Sequence, residues 1–317
     1  MSVVRVCFLG TPDFAAKHLF ALLNDSRFQV VGVVTQPDRP AGRKMQLTPS
    51  AVKVLALEHR CPILTPENLR KEPEVFAQIQ SWKADVAVVV AFGQILSEEF
   101  LNHFAFGAVN IHGSLLPRWR GAAPIQRALE AGDTVTGVSL QKMVKKLDAG
   151  PVIAERRLEL NLEINATELY DRLAKMGCDL LLNEFVEYLR GQRPLTVQDE
   201  SQVTVAKKIE KEESLLNLSS SALQLHNKIR AFSMGPGTYV VFQGKRLKIH
   251  RTALMRNDIQ KTVWHPGRIF KVNDQELILE TADGLLSLLE VQPESKAKQT
   301  IQEFLKQMKL HAGDDFV

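Results

Sequence analysis

Residues 109–124 read Val109-Asn110-Ile111-His112-Gly113-Ser114-Leu115-Leu116-Pro117-Arg118-Trp119-Arg120-Gly121-Ala122-Ala123-Pro124, and the rest of the chain is best read outward from them. Ala108, Val109 and Ile111 are apolar and follow Gly107, so the stretch begins as a strand. Side chains alternate faces along a strand, which puts Asn110 and His112 on the same side. An amide and an imidazole therefore stand together at the carboxyl end of a strand, just before Gly113 interrupts the run. Ligands of open α/β sheets bind at that edge. Pro117, Arg118, Trp119, Arg120, Gly121 and Pro124 then give the composition of a shaped surface loop rather than of a core. Position and composition together mark a reaction centre.

Upstream, Val3–Leu9 reads as a buried strand, and Gly10-Thr11-Pro12-Asp13 turns into a helix over Phe14–Leu23. Gln29–Thr35 is a second strand. The turn lacks Gly-x-Gly-x-x-Gly, which argues against a seat for NAD(P) pyrophosphate. Helix Ser50–Arg60, a short strand near Ile63, helix Glu72–Trp82 and the apolar strand Asp85–Ala91 continue the alternation. Val-rich runs flanked by helices predict parallel strands covered on both faces. Downstream come helix Pro124–Ala131, strands Gly137–Met143 and Pro151–Leu158, and one long helix over Thr167–Arg190.

The chain changes character after Gly191-Gln192-Arg193-Pro194. One amphipathic helix, Ser219–Phe232, precedes five short strands separated by turns such as Gln243-Gly244 and Asp283-Gly284. That pattern predicts a small antiparallel barrel of the oligonucleotide-binding type. The expected fold is α/β: a Rossmann-like, mostly parallel sheet over residues 1–190, a linker over 191–208, and a smaller OB-like β-barrel domain over 209–317.

Forty Lys+Arg against 36 Asp+Glu give a formal charge of only +4, so any nucleic-acid signal lies in placement. From Lys228 to Lys271 there are ten Lys/Arg and one acid, Asp258, a net +9 on the expected barrel. Phosphate contact by Lys245, Arg246 and Lys248 follows from that concentration. No stretch approaches the ~18 apolar residues of a membrane span. Arg5 interrupts the N-terminal apolar run, which is too short for a signal peptide. Cys7, Cys61 and Cys178 have no metal-type spacing, and the eight histidines are scattered. A cytoplasmic, monomeric protein with no metal and no membrane partner is expected.

Leu147-Asp148-Ala149-Gly150-Pro151 is a turn between two strands, where a carboxylate joins the amide and imidazole as parts that acyl transfer uses. Val109–Pro124, followed by Gly137-Val138-Ser139-Leu140 and Leu147–Gly150, resembles the formyltransferases that use 10-formyltetrahydrofolate. Many of those enzymes share the run from Ser114 to Gln126. Gly10-Thr11-Pro12-Asp13-Phe14 and Thr35-Gln36-Pro37-Asp38-Arg39-Pro40-Ala41-Gly42-Arg43 narrow the resemblance to the branch that acts on a charged tRNA.

The resemblance implies that Asn110, His112 and Asp148 are catalytic. It implies a folate site lined by Ser114, Leu115, Leu116 and Pro117, with Phe92 and Ile95 helping to hold the pterin. The implied donor and co-substrate is 10-formyltetrahydrofolate, and the implied acceptor is initiator methionyl-tRNA. Arg43 matches an arginine that meets the tRNA acceptor end; Lys44 beside it and Lys208 are expected contacts too. An aminoacyl α-amine titrates near neutrality, so no activated Ser or Cys is needed. Asn110 and a protonated His112 would donate to the oxyanion while Asp148 orients the imidazole and takes the ammonium proton. The alternative acceptor is a small-molecule amine, an amino sugar or glycinamide ribonucleotide. A non-catalytic RNA-binding protein is a third reading, which the Asn110/His112/Asp148 set opposes.

Overall fold

The apolar runs become the inner strands of a seven-stranded sheet in a computed structural model that describes residues 3–41, 45–255 and 263–316. Across the sheet the order is Val152–Glu159, Val135–Lys142, Ala108–His112, Val86–Val90, Val4–Gly10, Phe28–Val34 and Ile63–Leu64. The five strands from Ala108–His112 to Ile63–Leu64 pair in parallel. Val86–Val90 is buried along its whole length, as a strand of β-branched residues covered on both faces should be. Chain order reverses on the two sides of Val4–Gly10, which sets a crevice at the carboxyl ends of the central strands. Val135–Lys142 runs antiparallel to Ala108–His112 and closes that end of the parallel set.

Two of the helices between these strands start on a serine cap. Ser50 accepts the Lys53 N–H ahead of Ala51–Glu58, and Ser97 accepts the Phe100 N–H ahead of Glu98–His103. The single helix expected over 167–190 is two, Ala166–Leu182 and Glu184–Leu189. Asn183 separates them: its Nδ2 donates to the Asp179 carbonyl at 2.9 Å, the side-chain competition that makes Asn a poor mid-helix residue.

Packing divides the chain into two units whose segments interleave in sequence. One comprises Met1–Pro124, Val135–Leu158 and Tyr170–Ala206; the other comprises Ile125–Thr134, Glu159–Leu169 and Lys207–Val317. In the first unit the polar stretch after residue 191 reaches back into the fold, and Val205–Ala206 pairs in parallel with Arg120–Gly121. The second unit holds an antiparallel sheet ordered Thr238–Phe242, Lys245–Leu254, Leu285–Pro293, Leu277–Glu280, Ile269–Val272. Gln243 and Gly244, at φ 50° and 72°, make the two-residue hairpin that Gln-Gly suggested. Val240, Leu247, Ile249, Leu288 and Val291 turn inward against Ile229 and Phe304.

Candidate active site

Asn110 and His112 close the strand Ala108–His112, and both are buried. The antiparallel register sets Gln141 opposite Asn110 and Ser139 opposite His112. Cross-strand partners share a face. Four polar side chains thus gather on one patch of a sheet whose central strands are largely apolar.

Asp148 arrives from the loop that follows Val135–Lys142. Its φ of 49° lies in the left-handed region, which Asp tolerates better than most residues. Gly150 lets the loop fold back, since a Cβ there would stand 1.7 Å from the Lys142 carbonyl oxygen. The carboxylate meets the strand pair. Oδ1 accepts from Gln141 Nε2 at 3.1 Å and lies 3.5 Å from Asn110 Nδ2. Oδ2 accepts the Gly121 N–H at 2.9 Å and lies 3.8 Å from His112 Nδ1.

The imidazole has a defined orientation. His112 Nε2 is 2.8 Å from the Trp119 carbonyl oxygen, which can only accept, so Nε2 carries a hydrogen. Nδ1 is left facing Asp148, and charging the ring places the second proton on that side. Thr204 Oγ1 accepts the Trp119 N–H at 2.9 Å, and Trp119 sits at φ 63°.

No hydroxyl or thiol here is set up as a covalent nucleophile. Ser114 donates to the Arg118 carbonyl at 2.6 Å, and Ser139 donates to the Ser114 carbonyl at 2.7 Å. Burial pushes the thiols of Cys7, Cys61 and Cys178 up, away from the reactive thiolate. Among the described residues no three His, Cys, Asp or Glu side chains are grouped to hold a metal ion. What the arrangement offers is two N–H donors and a carboxylate around one point, the requirements for stabilising a developing oxyanion and moving one proton.

The model of the formyl transferase family matches residues 4–184, and that of the formyl transferase C-terminal domain matches 208–309. The chain belongs to the formyl transferase family. It is 56% identical over 314 residues, 99% of each chain, to the methionyl-tRNA formyltransferase of Bdellovibrio bacteriovorus. The N-formyltransferase of Helicobacter canadensis, solved with folinic acid and dTDP-3-aminofucose, shares the fold at a TM-score of 0.67 and 16% identity, over 93% of this chain and 100% of that one. HypX from Aquifex aeolicus, solved with tetrahydrofolic acid, gives 0.62 at 16% identity over 99% of this chain and 50% of its own.

In this formyl transferase the residues expected around a folate are placed unequally. Leu115 and Pro117 are half-buried, whereas Ser114 and Leu116 are buried. Phe92 packs its ring into the core with Leu9, Val34 and Phe100, so it presents only its carbonyl, which accepts from Thr11 Oγ1 at 3.1 Å and Gln36 Nε2 at 3.2 Å. Ile95 is 70% exposed and Leu147 68%, on segments joined by the Lys145–Glu98 ion pair at 3.0 Å.

The basic residues expected at tRNA fall in two groups. Arg43 and Lys44 lie outside the described residues. Lys208, Lys245, Arg246 and Lys248 are exposed. Arg246 and Lys248 stand opposite Val241 and Tyr239 on the outer face of the hairpin, and the Arg246 guanidinium lies 4.7 Å from the centre of the Tyr239 ring. Among the described residues, Gln141 is the group at the site that motif reading missed. Its signal was the polar alternation Ser139, Gln141 inside an apolar strand, which gains meaning only once the register puts it opposite Asn110 and His112.

Proposed function

We propose that this chain transfers the formyl group of 10-formyltetrahydrofolate to the α-amino group of methionine on initiator tRNA, for translation initiation. The observation that carries the reading is the meeting of Asn110, His112 and Gln141 around Asp148, in a chain 56% identical from end to end to a methionyl-tRNA formyltransferase. The half-buried Leu115 and Pro117 and the exposed apolar Ile95 and Leu147 fit a flat, largely apolar folate, which supplies the formyl carbonyl when bound.

Asn110 Nδ2 and a protonated His112 Nδ1 donate to the formyl oxygen as charge builds on it. Their distances to Asp148, 3.5 and 3.8 Å, are long, so neither donor is committed to the carboxylate. Losing one such donor typically costs about 2.7–4 kcal/mol of barrier. Asp148 balances the imidazolium charge, takes the proton released by the attacking amine, directly or through a water, and returns it to N10 as the formyl carbon–N10 bond breaks and tetrahydrofolate leaves. The Nε2–H stays hydrogen-bonded to the Trp119 carbonyl oxygen throughout, which keeps the ring from turning. A free α-amine is a competent nucleophile near neutral pH, so the chemistry runs without a covalent enzyme intermediate.

The test is an acceptor panel. Given 10-formyltetrahydrofolate and either Met-charged initiator tRNA, Met-charged elongator tRNA, free methionine or an amino sugar, the enzyme should formylate the first far faster than the rest. Preferential formylation of a free small amine would reassign the acceptor.

A further inference from the structure

Gln198 lies in the polar stretch after residue 191, yet it is only 8% exposed and both ends of its amide are engaged. Its Oε1 accepts from Arg120 Nε at 3.0 Å and Nη2 at 2.8 Å. Its Nε2 donates to the carbonyl oxygens of Asp148 at 2.8 Å and Gly150 at 2.6 Å, and lies 3.4 Å from Gln141 Oε1. A guanidinium only donates and a backbone carbonyl only accepts, so the amide has one permitted orientation.

Arg120 is buried as well. Its Nη2 donates to Glu200 Oε1 at 2.8 Å, and Glu200 Oε2 accepts from Lys146, on the Asp148 loop, at 2.5 Å. Hydrogen bonds from Arg120 first and Lys146 second draw the Glu200 carboxyl down to about 2. Gly121, next to Arg120, donates its N–H to the Asp148 carboxylate. The loop is therefore gripped at both ends of its catalytic residue: Gly121 and Gln141 hold the carboxylate, and Gln198 holds the backbone.

We propose that Gln198 is a positioning residue for formyl transfer, fixing the left-handed backbone of Asp148 and so the aim of its carboxylate at His112 and Asn110. The inference rests on the reading of Asp148 as the group that takes the proton. The stretch that composition marked as a linker is then a brace of the catalytic loop.

With 10-formyltetrahydrofolate and Met-charged initiator tRNA both saturating, Gln198→Ala is expected to lower kcat about 100-fold, the scale of an about 1 Å misplacement. KM for each substrate should stay within about threefold, because no substrate touches Gln198 in this account. Gln198→Glu keeps the length and the Arg120 partner but sets an acceptor against two carbonyls. The ion pair with Arg120 offsets part of that repulsion, so it should fold, with a lowered melting temperature, and show the same kcat loss, which decides the matter if Gln198→Ala does not fold. A parent-like kcat in Gln198→Glu, or a loss confined to KM, overturns the proposal. Asp148→Asn, run alongside, separates the two levels. If it is inactive while Gln198→Glu is fully active, only the positioning role falls; if it too is fully active, the reading of Asp148 falls.

Discussion

Two strands of this chain carry polar side chains at alternate positions and use them in opposite ways. In Ala108–His112 the pair is Asn110 and His112, buried, with neighbours from the next strand, the Trp119 carbonyl and the Asp148 loop fixed around them. In Lys245–Leu254 the pair is Arg246 and Lys248, exposed on the outer face, with Leu247 between them and Ile249 after them turned to the core. Alternation is the same; burial differs. A buried group is worth its geometry, because low dielectric and fixed partners make small displacements expensive. An exposed cation is worth its field, which attracts phosphate over a distance set by salt. The proposed function assigns chemistry to the first strand and capture of the acceptor to the second.

The largest effect expected from this contrast is at Asp148. Asp148→Asn keeps the size of the side chain and removes the proton acceptor, and kcat should fall about 10³-fold, within the range of general acid–base contributions. More than about a tenth of parent activity in that variant would reduce Asp148 to a turn residue. His112→Ala comes next: kcat should drop about 10²–10³-fold with KM for either substrate little changed, the signature of a donor used in the transition state.

At the other strand the sign of the effect moves to KM. The double variant Arg246→Glu/Lys248→Glu should leave kcat within about twofold and raise KM for charged tRNA. Each phosphate contact on a duplex contributes about −0.9 to the log–log salt slope, so losing two should flatten it by about 1.8. An unchanged slope would remove this face from the acceptor's path. The smallest effect is at Tyr239, whose ring lies beside the Arg246 guanidinium. Tyr239→Leu forfeits a cation–π contact worth about 0.5–1 kcal/mol at an exposed site, and since that contact acts only by placing Arg246, KM for tRNA should rise by at most about two- to fivefold.

The same contrast shows what could be read from the chain and what could not. The shared face of Asn110 and His112 was legible because period-two alternation and the following glycine are local facts, and the parallel pairing of the Val-rich strands was legible from the helices that flank them. Gln141 and Gln198 were not, because their meaning comes from an antiparallel register and from a segment that returns 50 residues later in the chain to reach Asp148. Phe92 illustrates a different blindness: position in an apolar run does not say which way a ring points, and this one points into the core. The single long helix expected from the spacing of Leu169, Leu173 and Leu180 is broken by one amide, Asn183, which periodicity of apolar residues does not weigh. Gly150 looked like an ordinary turn residue, and the 1.7 Å approach to Lys142 makes it a requirement of the loop.

The division between a buried chemical centre and an exposed capturing face is tested most directly by measuring kcat and KM for Met-charged initiator tRNA across a salt series. A level kcat, with a KM that climbs steeply with salt, is the expected result. A kcat that falls with salt while KM holds constant would contradict it.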